Sequence, residues 1–126
     1  MTEPGTPQKI LIVDDEPDIR QLLAEFLTEA GFLTLQASNG LDGLYLLENE
    51  KPALVLLDIG MPGLDGVQIL GKIKKLLPQT HVIIITGAGD RMTELQTKRL
   101  GRTGYLTKPF DPVDLLENHI KPALNL

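Results

Sequence analysis

The sequence predicts a single α/β domain built on a doubly wound, five-stranded parallel sheet. Along the chain of 126 residues, short aliphatic runs alternate with stretches in which apolar residues recur every three or four positions. The short runs are bounded by turn residues and are typical of strands buried on both faces. Strands that alternate with helices in this way form parallel sheets, with right-handed crossovers and a helical layer on each face.

Each strand and helix can be placed from its local pattern. The predicted strands span residues 9–13, 32–37, 53–57, 81–85 and 105–107. The predicted helices follow them at about 19–30, 41–49, 66–77 and 90–100, and the last begins near 111.

Several residues mark the faces and ends of these helices. Gly31 is expected just past the first helix, Asp65 at the start of the third, and Pro122 where the last one ends or kinks. The helical spacing puts Leu22 on the inner face of the first helix and Leu76 on that of the third.

The composition excludes several classes of function. The formal net charge of −5 argues against a domain that coats nucleic acid by itself. The absence of cysteine excludes disulfide frameworks, thiolate metal sites and cysteine nucleophiles. No apolar run approaches the roughly 20 residues that span a bilayer, and the N-terminus lacks the pattern of a signal peptide. We therefore expect a cytoplasmic protein that binds neither membrane nor nucleic acid directly.

Polar side chains stand at the ends of four predicted strands. Asp14 and Asp15 follow the first strand, Asp58 the third, Thr86 the fourth and Lys108 the fifth. The carboxyl ends of parallel strands lie on one edge of the sheet, and ligands bind there. We therefore expect these residues to converge on one site with three carboxylates, a hydroxyl and an ammonium.

This set of groups suits covalent phosphoryl transfer. Three crowded carboxylates repel one another, and one lysine compensates only part of their charge. Carboxylate oxygens without cysteine or a suitably placed histidine favour a hard divalent cation such as Mg²⁺. One carboxylate would attack as nucleophile, while the cation, the lysine and the hydroxyl neutralise the phosphoryl oxygens.

Each residue also has a purely structural explanation. Asp14 or Asp15 would cap the first helix, and Thr86 the fourth. Lys108 would be an ordinary exposed lysine. Asp58 is harder to explain in this way, because a charge at the end of a buried strand needs a partner. The occurrence of all of them at strand ends favours the functional interpretation.

Four motifs contain these residues: Val13-Asp14-Asp15-Glu16, Asp58-Ile59-Gly60-Met61-Pro62-Gly63-Leu64-Asp65-Gly66, Ile85-Thr86-Gly87 and Tyr105-Leu106-Thr107-Lys108-Pro109-Phe110. In order and spacing, from Lys9 to about Ile120, the chain resembles the receiver domains of bacterial two-component response regulators, the CheY-like family. The resemblance implies the flavodoxin-like (βα)5 fold with strand order 2-1-3-4-5. Residues 1–7 contain two prolines, a glycine and two threonines and are expected to form a flexible leader, which places the receiver domain at 8–126.

By position, the resemblance implies a role for each site residue. Asp58 would accept the phosphoryl group, and Lys108 would pair with its oxygens. Asp15 and Asp58 would bind Mg²⁺ through their side chains, with Mn²⁺ as a substitute. Gly60 would bind the ion through its backbone carbonyl, and Asp14 largely through water.

The resemblance also implies a switch and a phosphoryl donor. Thr86 and Tyr105 correspond to a pair in which the hydroxyl moves towards the phosphate and the aromatic ring turns inward. The bond between Lys108 and Pro109 is expected to be cis. The donor would be a phosphohistidine on a sensor histidine kinase or a histidine phosphotransfer protein. The domain would assist its own phosphorylation and dephosphorylation without being a turnover enzyme on external substrates.

The region around the fourth helix departs from the family pattern. The family usually has Gly-Ala before the fifth strand, whereas this chain has Gly101-Arg102. With Arg91, Lys98 and Arg99, the surface is locally basic on an acidic protein. We expect the face formed by helix 4, strand 5 and helix 5 to dock an acidic partner or a second copy in a homodimer. A merely solvated helix is the alternative.

Other classes share parts of this pattern. A flavodoxin-like redox protein would need a Ser-, Thr- or Gly-rich phosphate loop where this chain has Asp14-Asp15-Glu16-Pro17. An aspartate-nucleophile phosphatase would need a second Asp where Gly60 stands. The receiver could signal alone, or it could be part of a longer DNA-binding transcriptional regulator or a hybrid histidine kinase.

Overall fold

The computed structural model describes residues 7–62, 65–87 and 89–126, and in them strands and helices alternate as predicted. The strands are β1 (Lys9–Val13), β2 (Leu33–Ala37), β3 (Leu54–Asp58), β4 (His81–Thr86) and β5 (Gly104–Thr107). The first four helices are α1 (Pro17–Glu29), α2 (Gly40–Glu50), α3 (Gly66–Leu76) and α4 (Arg91–Arg99). The C-terminal helix consists of α5 (Pro112–Leu115), a π-helical turn (Leu116–Ile120) and α6 (Lys121–Ala123).

Two predictions concern the chain as a whole, namely the leader and the absence of a membrane span. Of the predicted leader at residues 1–7, only Pro7 lies among the described residues, so the leader stays a prediction. No helix in the described part of the chain is long and apolar enough to cross a bilayer.

The five strands form one parallel sheet in the predicted order β2-β1-β3-β4-β5. β1 pairs with β2 on one side and with β3 on the other, so the strand order reverses beside β1. Val13 pairs with Leu57, which places the residues that follow them, Asp14 and Asp58, next to each other at the carboxyl edge. A crevice opens where the strand order reverses in such sheets, and the acidic residues lie at this point.

Two hydrophobic layers hold the helices against the two faces of the sheet. Successive residues of a strand point to opposite faces, so Ile10 and Leu11 of β1 enter different layers. One layer packs α1 and the C-terminal helix, for example through Leu27 and Ile120. The other layer packs α2 and α3, for example through Leu47. Burial on both faces explains why the central strands β1, β3 and β4 appear in the sequence as continuous aliphatic runs. The edge strands β2 and β5 are partly exposed and include polar residues.

Aspartate side chains cap the two helices that border the site on the β3 and β4 side. Asp65 caps α3, as predicted, by accepting the backbone N–H of Gln68 at 3.1 Å. Asp90 caps α4 by accepting the N–H of Thr93 at 2.7 Å. The capping role considered for Thr86 is therefore wrong.

The start of α1 has no side-chain cap. Its N-cap residue is Glu16, whose side chain makes no capping bond. Asp14 accepts the backbone N–H of Glu16 at 2.8 Å from a position before the helix, so neither Asp14 nor Asp15 is the N-cap. At the other end, Gly31 adopts a φ of 101°, as expected for a glycine that follows a helix.

The structure corrects two local predictions. Leu22 is 57% exposed and Leu76 is 50% exposed, so neither faces the core. The C-terminal helix ends at Ala123, one residue past Pro122, and a π-helical turn directly precedes Lys121, in keeping with the predicted end or kink. The N–H of Lys121 donates to the carbonyl of Leu116, five residues earlier. This wide turn accommodates a proline that has no N–H to donate.

Candidate functional site

The ends of β1 and β3 bring four acidic side chains together. Asp14, Asp15, Glu16 and Asp58 offer carboxylate oxygens that all lie within 4.8 Å of one another. Asp14 and Asp58 are buried, at 2% and 4% exposure, whereas Asp15 and Glu16 are exposed. The three predicted carboxylates are therefore joined by a fourth, Glu16, which sequence reasoning did not place in the site.

Both carboxylate oxygens of Asp58 have defined partners. Oδ1 accepts the backbone N–H of Gly60 at 2.8 Å. Oδ2 lies 3.0 Å from Nζ of Lys108 and accepts a hydrogen bond from it. Because Asp58 is the last residue of a central strand, the sheet itself fixes the position of this carboxylate.

Lys108 is the common partner of three carboxylates. Its Nζ lies 2.6 Å from Glu16 and 3.0 Å from Asp14 and from Asp58. Lys108 directly follows β5, and its peptide bond to Pro109 is cis, as predicted. The lysine thus reaches the acidic cluster from the β5 side of the edge.

The pKa values of Asp14 and Lys108 are both raised above their ordinary values, but for different reasons. For Asp14, burial is the main cause and the charge of Asp58 adds to it, while the N–H of Glu16 and the ammonium of Lys108 lower the pKa. For Lys108, burial alone would lower the pKa, but hydrogen bonds to Glu16, Asp58 and Asp14 outweigh it. Lys108 therefore remains a cation at neutral pH.

Thr86 and Gly60 border the space beside Asp58. Thr86 is buried at the end of β4, and its carbonyl accepts the backbone N–H of Lys108 at 2.8 Å. A Cβ on Gly60 would lie 3.3 Å from Oδ1 of Asp58 and 3.8 Å from Oγ1 of Thr86. A side chain at this position would therefore be tight against the carboxylate and in ordinary van der Waals contact with the hydroxyl.

Tyr105 lies on β5 with its hydroxyl close to the end of β4. A Cβ on Gly89 would overlap this hydroxyl and would come 3.0 Å from Cγ2 of Thr86. The guanidinium carbon of Arg102 lies 4.8 Å from the centroid of the Tyr105 ring. Sequence reasoning placed Arg102 only on the basic surface near helix 4 and missed this contact. The signal was the arginine in place of the family's alanine, three residues before the tyrosine.

The chemistry of the cluster fits a hard divalent cation. All of its donors are carboxylate oxygens, and within the described ranges neither histidine nor cysteine belongs to it. Four carboxylates face one ammonium, that of Lys108, so the site keeps an excess of negative charge. Oxygen-only sites of this kind favour Mg²⁺ or Mn²⁺ over softer metals.

An open parallel sheet of this order, with an acidic cluster and a lysine at its carboxyl edge, defines a receiver-type signalling domain. Comparison with known proteins leads to the same class. The family model of the response regulator receiver domain matches residues 10–120. The chain belongs to this family, whose members accept phosphoryl groups in two-component systems and interact with histidine kinases.

Individual relatives agree with this assignment. Sporulation initiation phosphotransferase F of Bacillus subtilis (strain 168) is 42% identical over 119 residues, which cover 94% of this chain and 95% of that protein. The crystal structure of a CheY-like response regulator receiver domain protein from Methanospirillum hungatei JF-1 has a TM-score of 0.92 and 34% identity, with 95% of each chain covered. The probable transcriptional regulator ycf27 of Guillardia theta is 39% identical over 119 residues, which cover 94% of this chain but only 46% of its own length.

Proposed function

We propose that Asp58 accepts a phosphoryl group and that the domain responds by changing the surface around Tyr105. The observation that carries this proposal is the environment of Asp58. Its carboxylate is buried at the carboxyl edge of the sheet, 3.0 Å from the ammonium of Lys108 and within the acidic cluster. The other buried carboxylate, Asp14, lies at the same 3.0 Å from this ammonium and accepts the backbone N–H of Glu16.

The transfer is a displacement at phosphorus. A carboxylate oxygen of Asp58 forms a bond to phosphorus as the bond from phosphorus to the donor histidine nitrogen breaks. The leaving imidazole keeps the bonding electron pair and takes up a proton from solvent. The product is an acyl phosphate, and no further reactant is consumed.

Two protein groups act on the oxygens of the phosphoryl group. The ammonium of Lys108 neutralises one oxygen, and the hydroxyl of Thr86 donates a hydrogen bond to another. The space that Gly60 leaves between Asp58 and Thr86 supports this placement. Movement of Thr86 towards the phosphate would then change the space beside Gly89 that Thr86 and the hydroxyl of Tyr105 both border, which is the proposed switch.

Asp14, Asp15 and Asp58, with the backbone carbonyl of Gly60, are the proposed Mg²⁺ ligands, and Asp14 acts largely through water. Mn²⁺ would substitute because it accepts the same oxygen donors. A bound ion would neutralise part of the charge on both the carboxylates and the phosphoryl oxygens. The all-carboxylate composition of the cluster supports this assignment.

An apolar groove next to Lys108 supports docking of a partner that carries the phosphohistidine. The groove has a volume of about 450 Å³ and is lined by α1 and the segment after β5. Ile19 and Leu22 contribute from α1, and Phe110 and Pro112 from the other segment. A histidine-bearing segment of a sensor kinase or phosphotransfer protein seated here would bring its imidazole within reach of Asp58.

The exposed residues of α4 support a second docking face. Arg91, Lys98 and Arg99 are exposed, as are the apolar side chains of Met92 at 66% and Leu95 at 40%. Cations around exposed apolar groups suit an acidic partner or, as proposed for the α4-β5-α5 face, a second copy of the chain. Sedimentation of the domain with and without beryllofluoride would distinguish a homodimer from a monomer that awaits another partner.

Labelling with a small phosphodonor tests the central proposal. With acetyl phosphate and Mg²⁺, we expect the intact mass to increase by one phosphoryl group, and Asp58→Asn to show no increase. Asp18→Asn is the matched control, because Asp18 is an exposed aspartate in the first turn of α1. Undiminished labelling of Asp58→Asn, or equal labelling in EDTA and in Mg²⁺, would contradict the proposal.

A second test is the hydrolysis of a small phosphomonoester. Its turnover should be almost absent, since the domain carries its phosphoryl group rather than hydrolysing substrates.

A phosphorelay intermediate is the second candidate function. The relative from Bacillus subtilis that is called a phosphotransferase matches this chain over 95% of its length. In this role the acyl phosphate of Asp58 would pass to a second histidine. Incubation of the labelled domain with a histidine phosphotransfer domain tests it: label on the histidine supports a relay, and retained label supports an output switch.

A place within a longer DNA-binding regulator or hybrid kinase is the remaining alternative. The match to 46% of the length of the probable transcriptional regulator ycf27 favours a place within a longer regulator.

A further inference from the structure

Arg102 covers one face of the Tyr105 ring. Its guanidinium carbon lies 4.8 Å from the ring centroid, well within the range of a cation–π contact. The Nε atom of Arg102 is buried and has no hydrogen-bond partner among the residues that the structure describes. A solvated arginine would keep this donor in water, so the side chain is packed against the ring rather than extended from the surface.

The backbone around Arg102 fixes where its side chain begins. Gly101 turns the chain with a φ of 92°, a conformation open to glycine. The N–H of Arg102 donates to the carbonyl of Thr97 at 3.1 Å, and the N–H of Thr103 donates to that of Val82 at 2.7 Å. Arg102 is thus anchored on both sides, to α4 and to β4.

The other end of the Tyr105 ring is enclosed beside the phosphoryl site. Its hydroxyl is buried and has no hydrogen-bond partner in the described part of the chain. Gly89 is so close that any side chain there would overlap the hydroxyl, and Thr86 borders the same space. The ring of Tyr105 therefore lies between Arg102, which covers its face, and Thr86, which borders the space around its hydroxyl. We call this the inward position of the ring, because it buries a hydroxyl that water would otherwise solvate.

We propose that Arg102 is a positioning residue that holds the ring of Tyr105 inward before phosphorylation. This inference rests on the proposed switch of Thr86 and Tyr105 and adds the group that biases it. Burying the hydroxyl of Tyr105 without a hydrogen-bond partner costs free energy and so favours an outward position of the ring. The cation–π contact with Arg102 favours the inward position seen in the structure. A contact of this type changes a two-state population by about two- to thirtyfold, depending on how far it is desolvated. Arg102 thereby sets the fraction of Tyr105 rings that are still outward before phosphorylation and that phosphorylation would move inward.

Fluorine NMR of the 3-fluorotyrosine-labelled domain tests this role. The chain has two tyrosines, Tyr105 and the 65% exposed Tyr45, so two signals are expected and Tyr45→Phe assigns them. The change of each signal between H2O and D2O reports its contact with water. Without metal or phosphodonor, Tyr105 should show a smaller change than Tyr45. In Arg102→Ala and Arg102→Gln, the ratio of inward to outward ring should fall by about two- to thirtyfold.

Arg99→Ala is the matched control, because Arg99 is an exposed arginine at the end of α4. It should leave the Tyr105 signal unchanged. An unchanged Tyr105 signal in both Arg102 variants, or an equal change in Arg99→Ala, would overturn the proposal. The unsubstituted chain gives an independent readout, since stacking predicts upfield ring-current shifts of the Arg102 side-chain protons. Shifts at ordinary arginine values would overturn it even if the variants failed to fold.

A second arm connects the ring to the switch. On addition of Mg²⁺ and beryllofluoride, the Tyr105 signal should change more in Arg102→Ala than in the parent, because more rings start outward. An equal or smaller change in Arg102→Ala would overturn the proposed bias. If beryllofluoride changed no backbone amide shift around Asp58 in any chain, the proposed phosphoacceptor function would be overturned instead. The metal-free comparison of the Tyr105 signals would still decide the role of Arg102.

Discussion

The ammonium of Lys108 lies closer to Glu16 than to Asp58. The Nζ atom is 2.6 Å from Oε1 of Glu16 and 3.0 Å from Oδ2 of Asp58. A phosphoryl group on Asp58 would need the same ammonium, so the exposed Glu16 competes with it for Lys108.

Neutralising Glu16 should therefore speed the labelling of Asp58 at saturating Mg²⁺. Glu16→Gln weakens the hold on Lys108 and removes one negative charge that repels the phosphodonor. Because the side chain of Glu16 is 55% exposed, the gain should not exceed about fivefold. Initial rates with acetyl phosphate measure it, and Asp18→Asn controls for the loss of a charge at the start of α1. A slower rate for Glu16→Gln would show that Glu16 assists the reaction.

Removing the ammonium of Lys108 should both slow labelling and destabilise the fold. Lys108→Met leaves the buried carboxylates of Asp14 and Asp58 side by side without their cation. We expect a loss of about 3–5 kcal/mol in the free energy of unfolding and a labelling rate lower by about a hundredfold or more. Urea unfolding with and without Mg²⁺ measures the first effect, and Mg²⁺ should restore part of it. Lys98→Met, on the exposed face of α4, should change neither quantity, and equal stability of both variants would contradict the electrostatic role.

The acidic cluster could be predicted only in part because its members differ in how they are positioned. Asp14 and Asp58 directly follow paired strands, so the rule that parallel strands end on one edge brings them together. Glu16 lies in the turn after β1 and meets Lys108, 92 residues away, through a flexible side chain. An acidic residue in such a turn has the same sequence pattern whether it faces solvent or a lysine.

For a related reason, the sequence marks Arg102 as unusual for the family but does not indicate which group its side chain contacts. The sequence indicates the helix before it and the strand after it, but the side chain's direction depends on the turn at Gly101 and on the bond to Thr97. These features belong to the tertiary path of a loop. The fold itself was predictable, since the central strands β1, β3 and β4 are runs buried on both faces and need no such detail.

Leu22 should contribute to phosphotransfer from a protein donor but not to labelling by a small one. It lines the groove beside Lys108 and is 57% exposed, so a partner could bury it without disturbing the core. Leu22→Ala should slow transfer from a phosphorylated histidine protein by about tenfold, from the lost apolar burial. The rate with acetyl phosphate should not change. Leu41→Ala is the control, because Leu41 is 80% exposed on α2 and lies outside the groove. Equal loss with both donors would show that Leu22 acts on the site itself.

Tyr105 should ionise at a higher pH than an ordinary tyrosine. Burial is the main cause that raises its pKa above 10.0, and the carboxylates of Glu94 and Asp90 add to it, while Arg102 lowers it. Between the ordinary and the raised pKa the folded state keeps a proton that the unfolded state has lost, so stability falls as pH rises through this window. Phenolate absorbance in the Tyr45→Phe background measures the pKa, and Glu94→Gln should lower it. Titration of Tyr105 at the ordinary value would contradict the burial of its hydroxyl.

The phosphoryl signal should leave through the face formed by α4, β5 and the C-terminal helix. A phosphoryl group adds about 1.5 to 2 negative charges beside Asp58, and only a neighbouring element with two arrangements can carry that local change to a distant surface. Thr86 carries the hydroxyl at the end of β4, next to the site of Asp58. Its Cγ2 atom borders the space that encloses the hydroxyl of Tyr105. Movement of Thr86 towards the phosphate changes this space, so the ring and the loop between β4 and α4 must adjust. Amide-exchange or chemical-shift changes on adding beryllofluoride should therefore concentrate in residues 86–106. Changes confined to the loops around Asp15 and Asp58 would show that this receiver transmits its signal by another route.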